Sequence, residues 1–141
     1  MTETGIVVEF LSTTRLGEKG QMTIASAGMP PAYVHRVATD LVDEITVSAT
    51  PLGTLGADYS DVAVPLQPGD TVLFMTDGFP ELLNAAGQQL GYVAAQQEFT
   101  TAARAADANG VIAALAGAAQ RWHGDKPPED DVTFVVVRAR A

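Results

Sequence analysis

The sequence has no cysteine and few basic residues, with 8 Lys and Arg against 17 Asp and Glu and a formal net charge of -9. Without cysteine there are no disulfides, no thiolate catalysis and no zinc-cysteine sites, which is compatible with a reducing cytoplasm. The acidic balance argues against nucleic acid or an anionic membrane as the main partner, because both select basic surfaces. It leaves carboxylates available for a hard cation.

Long hydrophobic runs are also missing. No apolar stretch approaches the roughly 20 residues of a membrane helix. The first ten residues, MTETGIVVEF, lack the basic start and long apolar core of a signal peptide. We therefore expect a cytoplasmic protein. Since 47% of the 141 residues are hydrophobic and no repeat or linker divides them, residues 1–141 are expected to form a single domain with its own core.

What the sequence does contain is a series of strand-like segments followed by helical ones. β-Branched and alternating stretches predict strands at 5–12, 22–26, 32–37, 45–49, 61–66, 71–76 and 132–138, the first two as a hairpin. Apolar spacing predicts helices at 92–106 and 109–124, with a short helix starting near residue 79. The second long helix is expected to start from a cap at Asp107 or Asn109, to end at Gly124 and to carry one apolar face formed by Val111, Ile112, Leu115, Ala119 and Trp122. Asp40, Asp43 and Glu44 are expected in a solvated turn. The order lacks strict strand–helix alternation and therefore indicates an α+β layered fold.

Two acidic clusters lie at the ends of the most hydrophobic strands. Asp77 follows the strand at 71–76, and Asp130 and Asp131 precede the strand at 132–138. If these strands are antiparallel neighbours, Asp77 faces Asp130 or Asp131 across a short gap. Carboxylates brought together repel each other unless a proton or a cation neutralises them. Oxygen ligands without sulfur or clustered histidine favour Mg²⁺ or Mn²⁺ over zinc.

The residues alone leave a second, structural interpretation open. Asp77 could cap a helix that begins near Phe79, since aspartate is common at that position. Asp130 and Asp131 could simply end a solvated loop. Under the metal interpretation, Gly78 lets the backbone come close and its carbonyl is a further candidate ligand.

Three segments in fitting order carry a resemblance to a known family. They are ASAGMPP at 25–31, TPLGTLGADYSDVAVPLQPGDTVLFMTDGFPELLN at 50–84 and PPEDDVTFVVVR at 127–138. These resemble the C-terminal half of the bacterial SpoIIE-like (RsbU-like) protein serine/threonine phosphatases, which belong to the metal-dependent protein phosphatase 2C type. The resemblance runs from about residue 5 to the end of the chain.

The resemblance implies an α-β-β-α sandwich with two central antiparallel sheets. It also implies that Asp77 is the metal-ligand aspartate of a Thr-Asp-Gly motif and that Asp130 is the ligand aspartate of an Asp-Asp/Asn-x-Thr motif, with Asp131 its neighbour. Two Mn²⁺ or Mg²⁺ ions would then serve hydrolysis of phosphoserine or phosphothreonine. The implied partner is a phosphorylated regulatory protein, such as an anti-sigma-factor antagonist, in signal transduction and stress response.

Two features differ from the family pattern. Met29 stands where the family usually has a histidine, and the family's first half, with a Gly-Asp pair whose aspartate bridges two metals, has no matching motif here. Two aspartates without the bridging one should hold a divalent cation weakly. An alternative function is therefore a non-catalytic partner-binding module that keeps the fold. Sheet edges left open by the missing half should favour self-association.

Overall fold

The computed structural model describes residues 20–47 and 61–140. The strands in these ranges are β1 Gln21–Ala25, β2 Ala32–Arg36, β3 Leu41–Ile45, β4 Asp61–Pro65, β5 Thr71–Met75 and β6 Phe134–Arg138, and the helices are α1 Tyr92–Ala102 and α2 Ala108–His123. The strand predicted at 5–12, and with it the predicted hairpin, lies outside the described residues. Neither helix of the described ranges has the length and apolar character needed to cross a membrane.

The strands form two antiparallel sheets that pack face to face. One sheet pairs β1 with β4, and the other has the order β3-β2-β5-β6. The helices cover the outer face of the four-stranded sheet, and the two-stranded sheet covers its other face. This arrangement confirms the α+β class, and the described residues supply both sheets and one helical layer of a sandwich of the protein phosphatase 2C type.

The central strands β2 and β5 are buried on both faces, which explains the apolar runs AYV in β2 and VLFM in β5. Tyr33 and Leu73 point to the helical side, where they meet Phe99 of α1. Val34 and Val72 point the opposite way, into the core shared with β1 and β4. Successive side chains of a strand alternate between faces. The four-stranded sheet therefore contributes side chains both to the core under the helices and to the core between the two sheets.

The predicted neighbourhood of the two acidic strand ends is confirmed at the level of the strands. β5 and β6 pair antiparallel, with Met75 opposite Phe134, so that β5 ends where β6 begins. The far end of β6 is fastened by the Arg138 guanidinium, which donates to Thr71 Oγ1 at 3.0 Å and to the carbonyl oxygen of Ala103 after α1. β6 is therefore fixed both to the sheet and to the helical layer.

The strand predicted at 45–49 begins four residues earlier than expected. β3 is Leu41–Ile45, so that Asp43 and Glu44 lie in a strand rather than in a turn. The turn falls earlier, at Asp40, whose φ of 55° reverses the chain directly after β2. The Asp40 carboxylate holds this turn by accepting from His35 Nε2 at 2.8 Å. An edge strand with an exposed face tolerates the charges that suggested a loop.

The short helix predicted near Phe79 was also wrong. Residues 77–81 form a turn in which the Glu81 N–H donates to the Asp77 carbonyl, and the next helix begins only at Tyr92. The Asn84 side chain accepts the backbone N–H groups of residues 86 and 88 and thereby reverses the chain. Such side-chain bonds to the backbone compete with helix formation.

The predicted caps of α2 are confirmed. The Asp107 carboxylate accepts from the Gly110 N–H at 2.8 Å, and Gly124 ends the helix with a φ of 83°. Leu115 is buried as expected, but Ile112, which was expected on the same face, is 38% exposed. The buried face of α2 is therefore narrower than the apolar spacing of its sequence indicated.

A buried carboxylate joins the two sheets near the start of β5. Asp70 is 2% exposed and accepts the N–H groups of Val37 and Gln67, each at 3.0 Å, and Arg36 Nη1 at 3.1 Å. Burial opposes ionisation of this carboxyl, but the two amides and the guanidinium outweigh burial and lower its pKa. Arg36 also pairs with Asp43, which is exposed.

Asp70→Ala is expected to lower the free energy of unfolding by about 3 kcal/mol, because it leaves buried donors without an acceptor. Asp43→Ala removes an exposed partner of the same arginine and should cost at most about 1 kcal/mol. Urea denaturation measures both. Since the pKa of Asp70 is lowered by folding, its contribution is full above about pH 4 and is lost as the pH falls through the folded-state pKa. Equal losses in the two variants would contradict this assignment.

Candidate metal site

Thr76 fastens the end of β5 to the segment that precedes β6. Its N–H donates to the Thr133 carbonyl at 3.2 Å. Its hydroxyl donates to the Asp131 carbonyl at 3.1 Å and accepts from the Thr133 N–H at 3.0 Å. The threonine directly before Asp77 thus fixes the backbone on both sides of the junction.

Gly78 brings the two acidic segments into direct backbone contact. This residue is buried, and a Cβ placed on it would lie 2.9 Å from the Asp131 carbonyl carbon and closer still to the carbonyl oxygen. Only glycine permits this approach, as the sequence predicted for a close backbone contact. The Asp77–Gly78 peptide therefore lies against Asp131.

The aspartate side chains at this junction are solvent-exposed. Asp130 Oδ1 accepts the Asp131 N–H at 2.8 Å, which shapes the loop before β6. The Asp77 carboxylate has no hydrogen-bond partner within 20–47 and 61–140, and no helix begins behind it for it to cap. The capping interpretation of Asp77 consequently loses its structural basis, while its role as a metal ligand stays a prediction.

A cleft of about 170 Å³ opens beside the junction. Its polar lining consists of Gly78, Glu81, Gln89, His123, Glu129 and Asp130. The sequence pattern did not identify Glu81, His123 or Glu129 as residues of this site. Their closeness in sequence to the candidate ligands could have indicated two of them, since Glu129 directly precedes Asp130 and Glu81 comes four residues after Asp77.

The electrostatics of this region favour positive charge. Burial raises the pKa of Tyr92, and the negative charges of Glu81 and Asp77 raise it further. The carbonyl of Leu83, 2.6 Å from His123 Nδ1, raises the pKa of that imidazole, with further contributions that include Glu129. Carboxylates contribute to both shifts, but the main cause is burial for Tyr92 and the Leu83 carbonyl for His123. A cation is the ligand that this surface would attract.

The donor set fits a hard cation in kind but falls short in number. Carboxylates and a glycine carbonyl are oxygen ligands of the type that Mg²⁺ and Mn²⁺ prefer. In the part of the chain that the structure describes, however, no three or more His, Cys, Asp or Glu side chains are grouped so as to hold a metal ion. Asp77, Gly78, Asp130 and Asp131 could therefore form only part of a coordination shell.

Met29 lies elsewhere, in apolar surroundings. It lines a small cleft of about 20 Å³ between the sheets together with Ile24, Phe74 and Met75. A thioether among aliphatic and aromatic side chains serves as packing. The polar function of the family's histidine has no counterpart at this position.

Comparison with protein families identifies the family to which the chain belongs. The family described as Stage II sporulation protein E (SpoIIE) matches residues 10–140. This range contains both acidic strand ends and the intervening helices. None of the curated proteins matches the chain.

Several solved structures share the fold. The RsbU and RsbW domains of Rv1364c from Mycobacterium tuberculosis match with a TM-score of 0.72 and 25% identity, covering 87% of this chain and 33% of that one. The phosphatase domain of SpoIIE from Bacillus subtilis, presoaked with Mn, gives 0.67 and 20%, covering 96% and 55%. The SiaA-PP2C domain of Pseudomonas aeruginosa gives 0.65 and 23%, covering 82% and 46%. The chain thus spans about a third to just over half of the chains that it matches.

Proposed function

Since the chain belongs to the SpoIIE family, we propose that it is the C-terminal portion of a metal-dependent protein serine/threonine phosphatase domain. The fold, which is that of the protein phosphatase 2C type, supports this proposal. The observation that carries it is the junction of β5 and β6. There the Thr76 hydroxyl and the contact of Gly78 with Asp131 hold two acidic segments together at the mouth of an open cleft.

We assign separate tasks to the residues of this junction. Asp77 and Asp130 would hold Mn²⁺ or Mg²⁺ through their carboxylates, with the Gly78 carbonyl and Asp131 as further donors. Thr76 positions the Asp131 backbone and keeps the two segments in register. The metal, when bound, supplies a polarised water and charge stabilisation for the phosphate. The surrounding carboxylates would repel a free phosphate in the absence of a cation.

The proposed substrate is a phosphoserine or phosphothreonine of a cytoplasmic regulatory protein. An anti-sigma-factor antagonist is the type that the family resemblance implies. One matched structure, which contains RsbU and RsbW domains, supports a role with a regulatory protein. The absence of cysteine is in keeping with the cytoplasm.

A second candidate is a partner-binding module that keeps the fold without catalysis. The observation in its favour is the incomplete donor set, because no group of three potential ligands occurs within the described ranges. Met29 in an apolar cleft points the same way. Such a module would bind a regulatory protein without releasing phosphate.

Release of phosphate from a phosphoserine peptide separates the two candidates. The intact chain is incubated with the peptide and millimolar Mn²⁺, with matched reactions that contain EDTA or no protein. We expect slow, Mn²⁺-dependent turnover that EDTA abolishes, since the metal should be weakly held. Saturable Mn²⁺ binding without any release would favour the binding module. Release unaffected by EDTA would contradict both the proposed mechanism and the family assignment of the metal.

A further inference from the structure

β6 forms an open edge of the four-stranded sheet. Among the described strands it pairs only with β5. The Thr133 carbonyl and the Ala139 N–H both bond towards the β5 side. Because these groups alternate along an antiparallel strand, Phe134, Val136 and Arg138 direct their backbone N–H and C=O groups outwards.

Two of the other three described edges, β3 and β4, carry features that oppose pairing with a further strand. The β3 edge has exposed Asp43 and Glu44, and antiparallel pairing of two such strands would bring like charges together. β4 begins with Asp61 and ends with Pro65, which lacks an N–H donor. The first four residues of β6, FVVV, carry neither charge nor proline. β1, with the sequence QMTIA, likewise lacks charge and proline, so β6 is one of two described edges without such protection. The charges that flank β6 distinguish it.

The two ends of the β6 segment have opposite charge. Glu129, Asp130 and Asp131 precede the strand, and Arg140 follows it, all of them exposed. In an antiparallel pair of identical strands, the start of one lies beside the end of the other. A two-fold axis at Val135 or Val136 brings the acidic segment 129–131 of one copy to the end of the strand pair at which Arg140 of the other copy lies. Both arrangements bring opposite charges together.

We propose that the outer edge of β6 is a self-association surface, on which β6 of a second copy of this chain adds in antiparallel orientation. The two four-stranded sheets then continue into each other through the outward groups of Phe134, Val136 and Arg138. Val135, which is 39% exposed on the sandwich side, becomes covered by the apolar face of its counterpart. This inference does not depend on phosphatase activity.

Sedimentation velocity over a range of protein concentrations tests the proposal. The unmodified chain should change from monomer to dimer as concentration rises, and the dimer should weaken in high salt. Arg140→Glu turns two attractive contacts into repulsive ones and should raise the dimer dissociation constant about tenfold. Arg121→Glu makes the same change of charge at an exposed side chain of α2 that pairs with Glu98, and should leave the constant unchanged.

Two further variants distinguish edge pairing from other association. Val136→Pro removes an outward N–H without removing a bond to β5, and circular dichroism should show that the fold persists while the dimer is lost. Adding Asp130→Arg to Arg140→Glu restores opposite charges and should recover the dimer. A monomer at every concentration overturns the proposal, and so does a dimer that tolerates both Val136→Pro and Arg140→Glu.

Discussion

Asparagine in place of Asp77 or Asp130 is expected to reduce Mn²⁺-dependent phosphate release at least about a hundredfold, because each change removes one charge from a donor set that is already small. Initial rates with a phosphoserine peptide at fixed Mn²⁺ measure the effect. The free energy of unfolding should stay the same or rise. The Asp77 carboxylate forms no hydrogen bond to any described residue, and removing its charge relieves repulsion among neighbouring carboxylates.

Asp107→Asn is the matched control for both variants. It removes one carboxylate from the same chain, but at the start of α2, where asparagine caps a helix as well as aspartate does. Release should therefore be unchanged in this variant. Activity that survives in Asp77→Asn, or stability that falls by more than about 1 kcal/mol, would indicate a structural carboxylate instead.

Gly78→Ala is expected to lower the free energy of unfolding by about 3 kcal/mol or more, because the new methyl group meets backbone rather than a flexible side chain. A Cβ at this position would lie 2.9 Å from the Asp131 carbonyl carbon. Relief requires the ends of β5 and β6 to move apart. The same movement separates the proposed ligands, so Mn²⁺-dependent release should be lost together with stability. Urea denaturation and the peptide assay measure the two effects.

Gly117→Ala provides the comparison within the same chain. Gly117 lies inside α2, where an added Cβ comes no closer than 3.4 Å to the end of the flexible Arg121 side chain. Alanine has the higher helix propensity, so this variant should be neutral or more stable by up to about 1 kcal/mol. Comparable stability of the two glycine variants would disprove the backbone contact between Gly78 and Asp131.

Strands that are buried on both faces were predictable from sequence, and so was the meeting of the acidic strand ends. The short apolar run of β5, which ends just before Asp77 and Gly78, is typical of a buried strand and predicted this element directly. The antiparallel neighbourhood of β5 and β6 was a conditional prediction that the register confirms. The caps of α2 followed from Asp107 and Gly124, because capping is a local effect.

Features that depend on side-chain bonds to the backbone were not predictable from the pattern. The turn at 77–81 had helix-like composition, but Asn84 diverts the chain through its own hydrogen bonds. Thr76 holds the junction through a hydroxyl whose partners are more than 50 residues away. β3 is an exposed edge strand, so its sequence lacks the regular apolar alternation that predicts a strand. Its charged residues therefore suggested a turn.

Calorimetric titration of Mn²⁺ into the chain tests most directly whether the two strand ends form one cation site. The unmodified protein, Asp77→Asn, Asp130→Asn and the double variant are titrated under identical conditions, into the millimolar range that a partial oxygen site requires. We expect saturable binding in the unmodified chain and its loss in each single variant, with no further loss in the double variant. No saturable binding in the unmodified chain, or loss in only one of the single variants, would contradict a shared site.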